Sequence, residues 1–252
     1  MKTRTIPKPI VLFIALFLPL FMAGKKTSHS SGYAPLPYLH ITKNLSLKKE
    51  DKLVSAAERI YESIGPDQYQ ISKNVFLLAL KGFNELTEKG LLNKDSILSI
   101  VDFSKSSGEK RLVVIDLKNK EVLFHSLVAH GRGSGGEFAK SFSNKAGSHK
   151  SSLGFYVTTD TYYGSNGYSL RLKGYDKGFN DKAYNRAVVM HGADYAEESY
   201  MNKRGLLGRS YGCPAVPLKE HKQIINTIKK GSCLFVYYPD KKYLKLSKLL
   251  NG

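Results

Sequence analysis

His191 and Cys213 are the residues of this 252-residue chain whose types and surroundings suit covalent chemistry. His191 closes the apolar run Ala187-Val188-Val189-Met190, and Cys213 follows in Arg209-Ser210-Tyr211-Gly212-Cys213-Pro214-Ala215. A thiol with a pKa of about 8.5 attacks as its thiolate, so it needs a base or a positive field beside it, and a histidine from another segment supplies one. Gly212 removes bulk next to the sulfur, so a carbonyl can approach while the N–H groups of Gly212 and Cys213 face its developing oxyanion. A helix opened by Pro217 would add positive potential. The pattern suits acyl transfer. By type alone, a histidine ending a strand is more often a hydrogen-bonded structural residue, and a solitary cysteine a small core hydrophobe. Cys213 could also bond Cys233, because an exported protein meets oxidants. Cys233, however, opens the apolar run Leu234-Phe235-Val236 and reads as buried, whereas Cys213 stands among turn formers.

Other motifs carry less. Gly131-Arg132-Gly133-Ser134-Gly135-Gly136 matches G-x-G-x-x-G after a strand-like run, but no helical pattern follows it. His191-Gly192-Ala193-Asp194 offers two metal ligands where a zinc peptidase needs three, and no H-E-x-x-H completes them, so no metal or other cofactor is expected. Tyr162-Tyr163 beside basic residues could stack bases, yet sixteen tyrosines spread over strand-like runs read as sheet and surface.

The elements that must position the pair follow from hydrophobic period. Leu53, Ala56, Ala57, Ile60 and Ile64 recur at helical spacing until Gly65-Pro66, and Ser72 can cap a second helix ending near Gly90, in which Val75 to Leu80 are apolar all round. After Asp102, Leu112 to Ile115 and Val122 to Phe124 flank Lys118-Asn119-Lys120 as a hairpin. Further β-type runs lie at Phe155 to Thr159, Ser169 to Leu172, Ala187 to Met190 and Leu234 to Tyr238. A helix with Leu218, His221, Ile224, Ile225 and Ile228 on one side is expected from Pro217 to Gly231.

Lys and Arg total 39 against 21 acidic residues, a formal charge of +18 that favours a polyanionic partner. Lys2, Arg4 and Lys8 precede the uncharged run Ile10 to Ala23, the layout of a secretory signal peptide and too short to span a bilayer. Lys25 to Pro37 reads as a flexible leader. The mature protein is therefore expected to be exported to the periplasm or cell envelope, without a stable membrane span, where a basic protein meets wall polymer rather than nucleic acid.

At these residues the chain resembles the murein L,D-transpeptidase catalytic domain family, in the branch with Arg-Ser-x-Gly-Cys-Pro-Ala around the cysteine. The likeness runs through Val128-Ala129-His130-Gly131, Phe142-Ser143-Asn144, Ser151-Ser152-Leu153-Gly154-Phe155-Tyr156, Gly178-Phe179-Asn180-Asp181 and His191-Gly192-Ala193, over about residues 100 to 240. It implies an α+β protein: a small helical N-terminal region packed on a mainly β L,D-transpeptidase-like catalytic domain. The expected division is a signal peptide (1–24), leader (25–37), helical region (38–100), catalytic domain (101–240) and basic C-terminal tail (241–252). The resemblance also implies Cys213 as nucleophile, His191 as its base, the Gly192 carbonyl orienting the ring, and Arg209, Ser210, Tyr211 and Gly212 shaping the substrate and oxyanion pocket. Asp194 is a second possible partner for the ring, since a carboxylate could hold it too. The implied substrate is a peptidoglycan stem peptide: the thiolate releases its terminal D-Ala, and an amine of a second stem takes the acyl group in a 3–3 cross-link. With water as acceptor the same acyl-enzyme would be an L,D-carboxypeptidase. From a different class, a catalytically dead site would leave a module that grips anionic cell-wall polymer. Many family members carry Ser-His-Gly-Cys with a downstream Arg, where this chain has Tyr211 and Pro214-Ala215.

Overall fold

In a computed structural model of the protein, residues 55–252 are described. The expected signal peptide, the leader and the start of the helical region lie outside them. Residues 55–63 are helical and stop before Gly65-Pro66, as the spacing predicts. Helix α1 (Lys73–Glu88) follows with Ser72 at its N-cap, although the Ser72 hydroxyl makes no cap bond there. Its C-terminus closes in a Schellman arrangement: Gly90 lies at φ +64°, its N–H reaches the Thr87 carbonyl at 2.9 Å, and the Leu91 N–H reaches Leu86 at 3.0 Å. Val75, Phe76, Ala79, Leu80, Phe83 and Leu86 are buried where α1 packs on the sheet.

The eight strands are β1 (Ile97–Asp102), β2 (Leu112–Asp116), β3 (Glu121–Ser126), β4 (Gly154–Gly164), β5 (Gly167–Gly174), β6 (Val189–Ala193), β7 (Ala215–Pro217) and β8 (Cys233–Tyr237). They form one mixed sheet in the order β3-β2-β1-β8-β4-β5-β6-β7, with β1/β8 and β6/β7 parallel and the other pairs antiparallel. The hairpin around Lys118-Asn119-Lys120 is β2–β3. The chain after β3, at one edge, bridges to β7 at the other through Ala129–Ala215, which curls the sheet towards closure. The fold is thus α+β, with α1 on a mainly β body.

The structure corrects three expectations about elements. Ile97–Ile100, read as part of the helical region, is most of the fully buried strand β1. A strand buried on both faces shows no strict apolar–polar alternation, and Ile97-Leu98-Ser99-Ile100 is too short to be told from a helix end by period. Helix α2 (Glu198–Arg204) lies between β6 and β7. Pro217 ends β7 rather than opening a helix, and α3 (His221–Ile228) begins four residues later. Pro217 sits on the edge strand, where its missing N–H costs no ladder bond. Residues 241–252 fold into α4 (Lys241–Leu246) and α5 (Lys248–Asn251), burying Tyr243, Leu249 and Leu250.

Those C-terminal helices are held by one buried carboxylate. Asp176 accepts the Phe155 N–H of β4 at 2.7 Å, the Tyr243 hydroxyl at 3.1 Å and the Ser247 hydroxyl. Burial pushes its carboxyl above the usual range, while the three donors oppose that rise. Beneath it, the Phe155 and Phe235 rings stack at 4.2 Å, a pairing worth about 1 kcal/mol beyond the area they bury. Among the described residues no helix is long and apolar enough to cross a membrane.

Candidate active site

Strand pairing brings the two chemistry-bearing segments together. His191 is the middle residue of β6, opposite Ser169 of β5 and Ala215 of β7. Its N–H donates to the Pro214 carbonyl at 3.4 Å, so the residue after the cysteine is bonded directly to the histidine backbone. The Cys213 Sγ accepts the Val189 N–H at 3.4 Å, and its own hydrogen faces the Ala187 carbonyl at 3.9 Å. Both groups belong to the segment leading into His191. Behind it, Ile224, Ile225 and Ile228 of α3 are buried where that helix packs on β5 and β6, which fixes the strand.

The His191 ring is buried, with Nδ1 at 3.0 Å from the Gly192 carbonyl. A carbonyl only accepts, so Nδ1 carries the proton and Nε2 keeps its lone pair. The Asp194 carboxylate accepts the Tyr195 N–H at 2.7 Å instead. Burial lowers the imidazole pKa; the Gly192 bond opposes this, and the charge of His221 reinforces it. Burial raises the pKa of the partly exposed Cys213 thiol, with the Val189 N–H and the Arg186 guanidinium acting against it. Both shifts favour the uncharged forms, a thiol at Cys213 and an imidazole at His191. Cys213 and Cys233 are both free thiols, and Cys233 is buried in β8, so the alternative disulfide does not form.

The loop before the cysteine is built from polar tethers. The Gly212 N–H donates to the Ser210 Oγ at 3.0 Å, and that hydroxyl donates to the Cys213 carbonyl at 2.5 Å. The Gly212 amide is thus occupied, contrary to its expected place facing an oxyanion, and the Cys213 N–H is left as the candidate. Gly212 lies at φ +126°, open to glycine but strained for a side chain. Gly131 packs against it so closely that a Cβ at residue 131 would come within 2.7 Å of the Gly212 Cα. The Gly131–Gly136 run is accordingly a frame for the cysteine loop: the Ser210 N–H reaches the His130 carbonyl at 3.0 Å, and Arg209 Nη1 reaches the Gly135 carbonyl at 3.0 Å. Tyr211 projects outward, 67% exposed.

Sequence reading missed three contributors. Arg186 donates to the Ser143 and Lys150 carbonyls at 2.8 and 3.1 Å and to the Ser152 hydroxyl at 2.6 Å, and its positive charge favours ionisation of Cys213. Its place directly before the run Ala187 to Met190 was the available signal. The Tyr195 phenol is held protonated by burial first, then by charge on Cys213 and on Asp194. His130, inside a quoted motif, is fully buried, with Nδ1 accepting from Arg111 at 2.8 Å, while Arg111 also donates twice to the Val128 carbonyl. Its Nε2 makes no hydrogen bond. Desolvation first, then the Arg111 charge, lowers this histidine from its ordinary 6.5 to about 4.

The chain belongs to the L,D-transpeptidase catalytic domain family, whose profile matches residues 67–237 and so takes in both His191 and Cys213. Similar solved structures include an L,D-transpeptidase from Mycobacterium smegmatis, at 12% identity over 57% of this chain and 59% of that one, with a TM-score of 0.36. Another is the helical cell shape determining protein Pgp2 of Campylobacter jejuni, at 15% identity over 68% and 59%, with a TM-score of 0.37. A third is the L,D-transpeptidase of Xylanimonas cellulosilytica, at 16% identity over 55% and 59%, with a TM-score of 0.33. The match thus spans less than two thirds of each of those chains. No curated protein sequence matches the chain. The family assignment rests on the profile match.

Proposed function

We propose that the protein is a peptidoglycan L,D-transpeptidase acting through a Cys213 acyl-enzyme, exported to the cell envelope. The observation that carries the reading is the β6–β7 register, which pairs His191 with Ala215 and lets the Cys213 sulfur accept a hydrogen bond from the strand that bears the histidine. His191 Nε2 takes the thiol proton as sulfur attacks the carbonyl joining the third stem residue to the terminal D-Ala. The developing oxyanion meets the Cys213 N–H, and Arg186 favours negative charge at sulfur. His191 returns the proton to the departing D-Ala amine, leaving a thioester. The side-chain amine of a second stem then attacks the thioester, loses its proton to His191, and restores the thiol as the 3–3 cross-link forms. No ATP or metal enters either step. The basic surface favours retention near anionic wall polymer.

Incubation with a disaccharide-tetrapeptide, read by mass spectrometry beside Cys213→Ala, tests this. Loss of D-Ala with formation of dimers is expected from the native chain and neither from the variant. Loss of D-Ala without dimers would replace transfer by L,D-carboxypeptidase trimming. If neither product appears and a carbapenem gives no mass adduct, the acyl-enzyme itself is overturned.

A further inference from the structure

Next to the cysteine loop stands a group of side chains that the chemistry above does not use. The Arg132 N–H donates to the Ser210 carbonyl at 2.8 Å, which ties its backbone to the loop three residues before Cys213. Its guanidinium lies over the Tyr211 ring, 4.3 Å from the centroid. Two of its nitrogens, Nε and Nη2, point to His149 Nδ1 at 3.3 and 3.0 Å. Arginine only donates, so Nδ1 is the acceptor in these contacts. His149 in turn stands edge-on to Tyr211, with centroids 4.8 Å apart at 79°, and its backbone lies at φ +52°, a left-handed position that few residues other than glycine adopt. The Gly133 N–H holds its carbonyl at 2.8 Å.

Core packing does not explain this cluster, because Tyr211 is two-thirds exposed. Charge pairing does not explain it either. Arg132 meets an imidazole nitrogen and the face of a phenol ring, and the ion pairs among the described residues, Lys73–Glu58, Lys89–Glu85 and Lys219–Glu197, do not include it. The neighbouring cations follow suit: Arg209 binds the Gly135 carbonyl, Lys150 the Ser141 hydroxyl, and Arg186 carbonyls and hydroxyls. Arg132, Arg209, Lys150 and Arg186 are thus held by carbonyls, hydroxyls and an imidazole nitrogen, without an ion-pair partner. Arg132 is the one among them laid flat on an exposed ring, with Nη1 still open. A planar guanidinium with a free edge matches a carboxylate. Fixing it in advance also removes the side-chain entropy cost that binding would otherwise carry.

We propose that Arg132, stacked on Tyr211 and braced by His149, is a carboxylate subsite that receives the free terminal carboxylate of the donor stem. The proposal rests on the reading of Cys213 as the nucleophile, and it accounts for binding where that reading accounts for bond making.

Alkylation of Cys213 separates the two. Iodoacetate carries a carboxylate and iodoacetamide does not, although both react with the same thiolate. In Arg132→Gln the iodoacetate rate is expected to fall roughly tenfold at low salt while the iodoacetamide rate holds, which also reports an intact loop. With the tetrapeptide donor, KM should rise about tenfold at unchanged kcat, and the loss should vanish for a stem ending in D-alaninamide. An unchanged ratio of the two alkylation rates, or an equal KM penalty on the amidated stem, would overturn the subsite while leaving the acyl-enzyme standing. If neither reagent modifies Cys213, the nucleophile reading fails and takes the subsite with it.

Discussion

The two cysteines occupy opposite kinds of ground. Cys233 lies in β8 at the centre of the sheet, fully buried between Leu98 of β1 and Val157 of β4, in a region held by backbone ladders and apolar contact. Cys213 lies in a loop entering the three-residue edge strand β7, in a region held by side chains bonded to backbone: Ser210, Ser151, Arg186 and Arg209. Burial raises both thiols, but only Cys213 has an amide donor and a cation working against that rise. Position in the sheet therefore makes one thiol inert packing and the other a candidate nucleophile. The apolar centre carries the stability, and the polar edge carries the proposed chemistry.

Exchanging the two cysteines in turn is the strongest way to break that contrast. Cys213→Ala should abolish turnover while moving the urea midpoint little, whereas Cys233→Ser should keep turnover and lose about 2 kcal/mol by burying a hydroxyl among apolar neighbours. Turnover by Cys213→Ala, or loss of turnover in a folded Cys233→Ser, would dissolve the distinction.

Acid should next find the polar edge before the core. The folded-state pKa of His130 is depressed from 6.5 to about 4, so the unfolded chain takes the proton first as pH falls. The stability it contributes is present above pH 6.5 and is lost on the way to pH 4. At about 1.4 kcal/mol per unit, that is roughly 3 kcal/mol. Urea midpoints measured across this range should show the decline, and His130→Gln should flatten it.

Ser210→Ala sharpens the contrast further. It frees the Gly212 N–H and the Cys213 carbonyl together, so kcat/KM should fall about 100-fold through misplacement of the sulfur, with a stability change of about 1 kcal/mol. Arg186→Gln should have the smallest effect: the thiol rises further, and iodoacetamide alkylation at fixed pH slows roughly threefold.

Much of the contrast could be read from the order of residues. The turn formers around Cys213 and the apolar run after Cys233 already separated exposed from buried, and the β2–β3 hairpin and α1 followed from type and period. What period does not carry is contact across the chain. Ile97–Asp102 is buried on both faces and lacks strict alternation, so nothing local distinguished a central strand from a helix end. The choice between Gly192 and Asp194 for the His191 ring turned on backbone direction at the end of β6. The role of the Gly131–Gly136 run depended on its approach to Gly212, eighty residues on, and the Gly212 amide was lost to Ser210 through a turn only coordinates reveal.

The clasp at Asp176 bears on how this protein can be handled. The family match stops at residue 237, yet Tyr243 and Ser247, two of the three donors to that carboxylate, lie past it. A version trimmed to the matched boundary would strand an anion in an oily interior, and it should accumulate as insoluble material, whereas the same cut combined with Asp176→Asn should recover part of the yield.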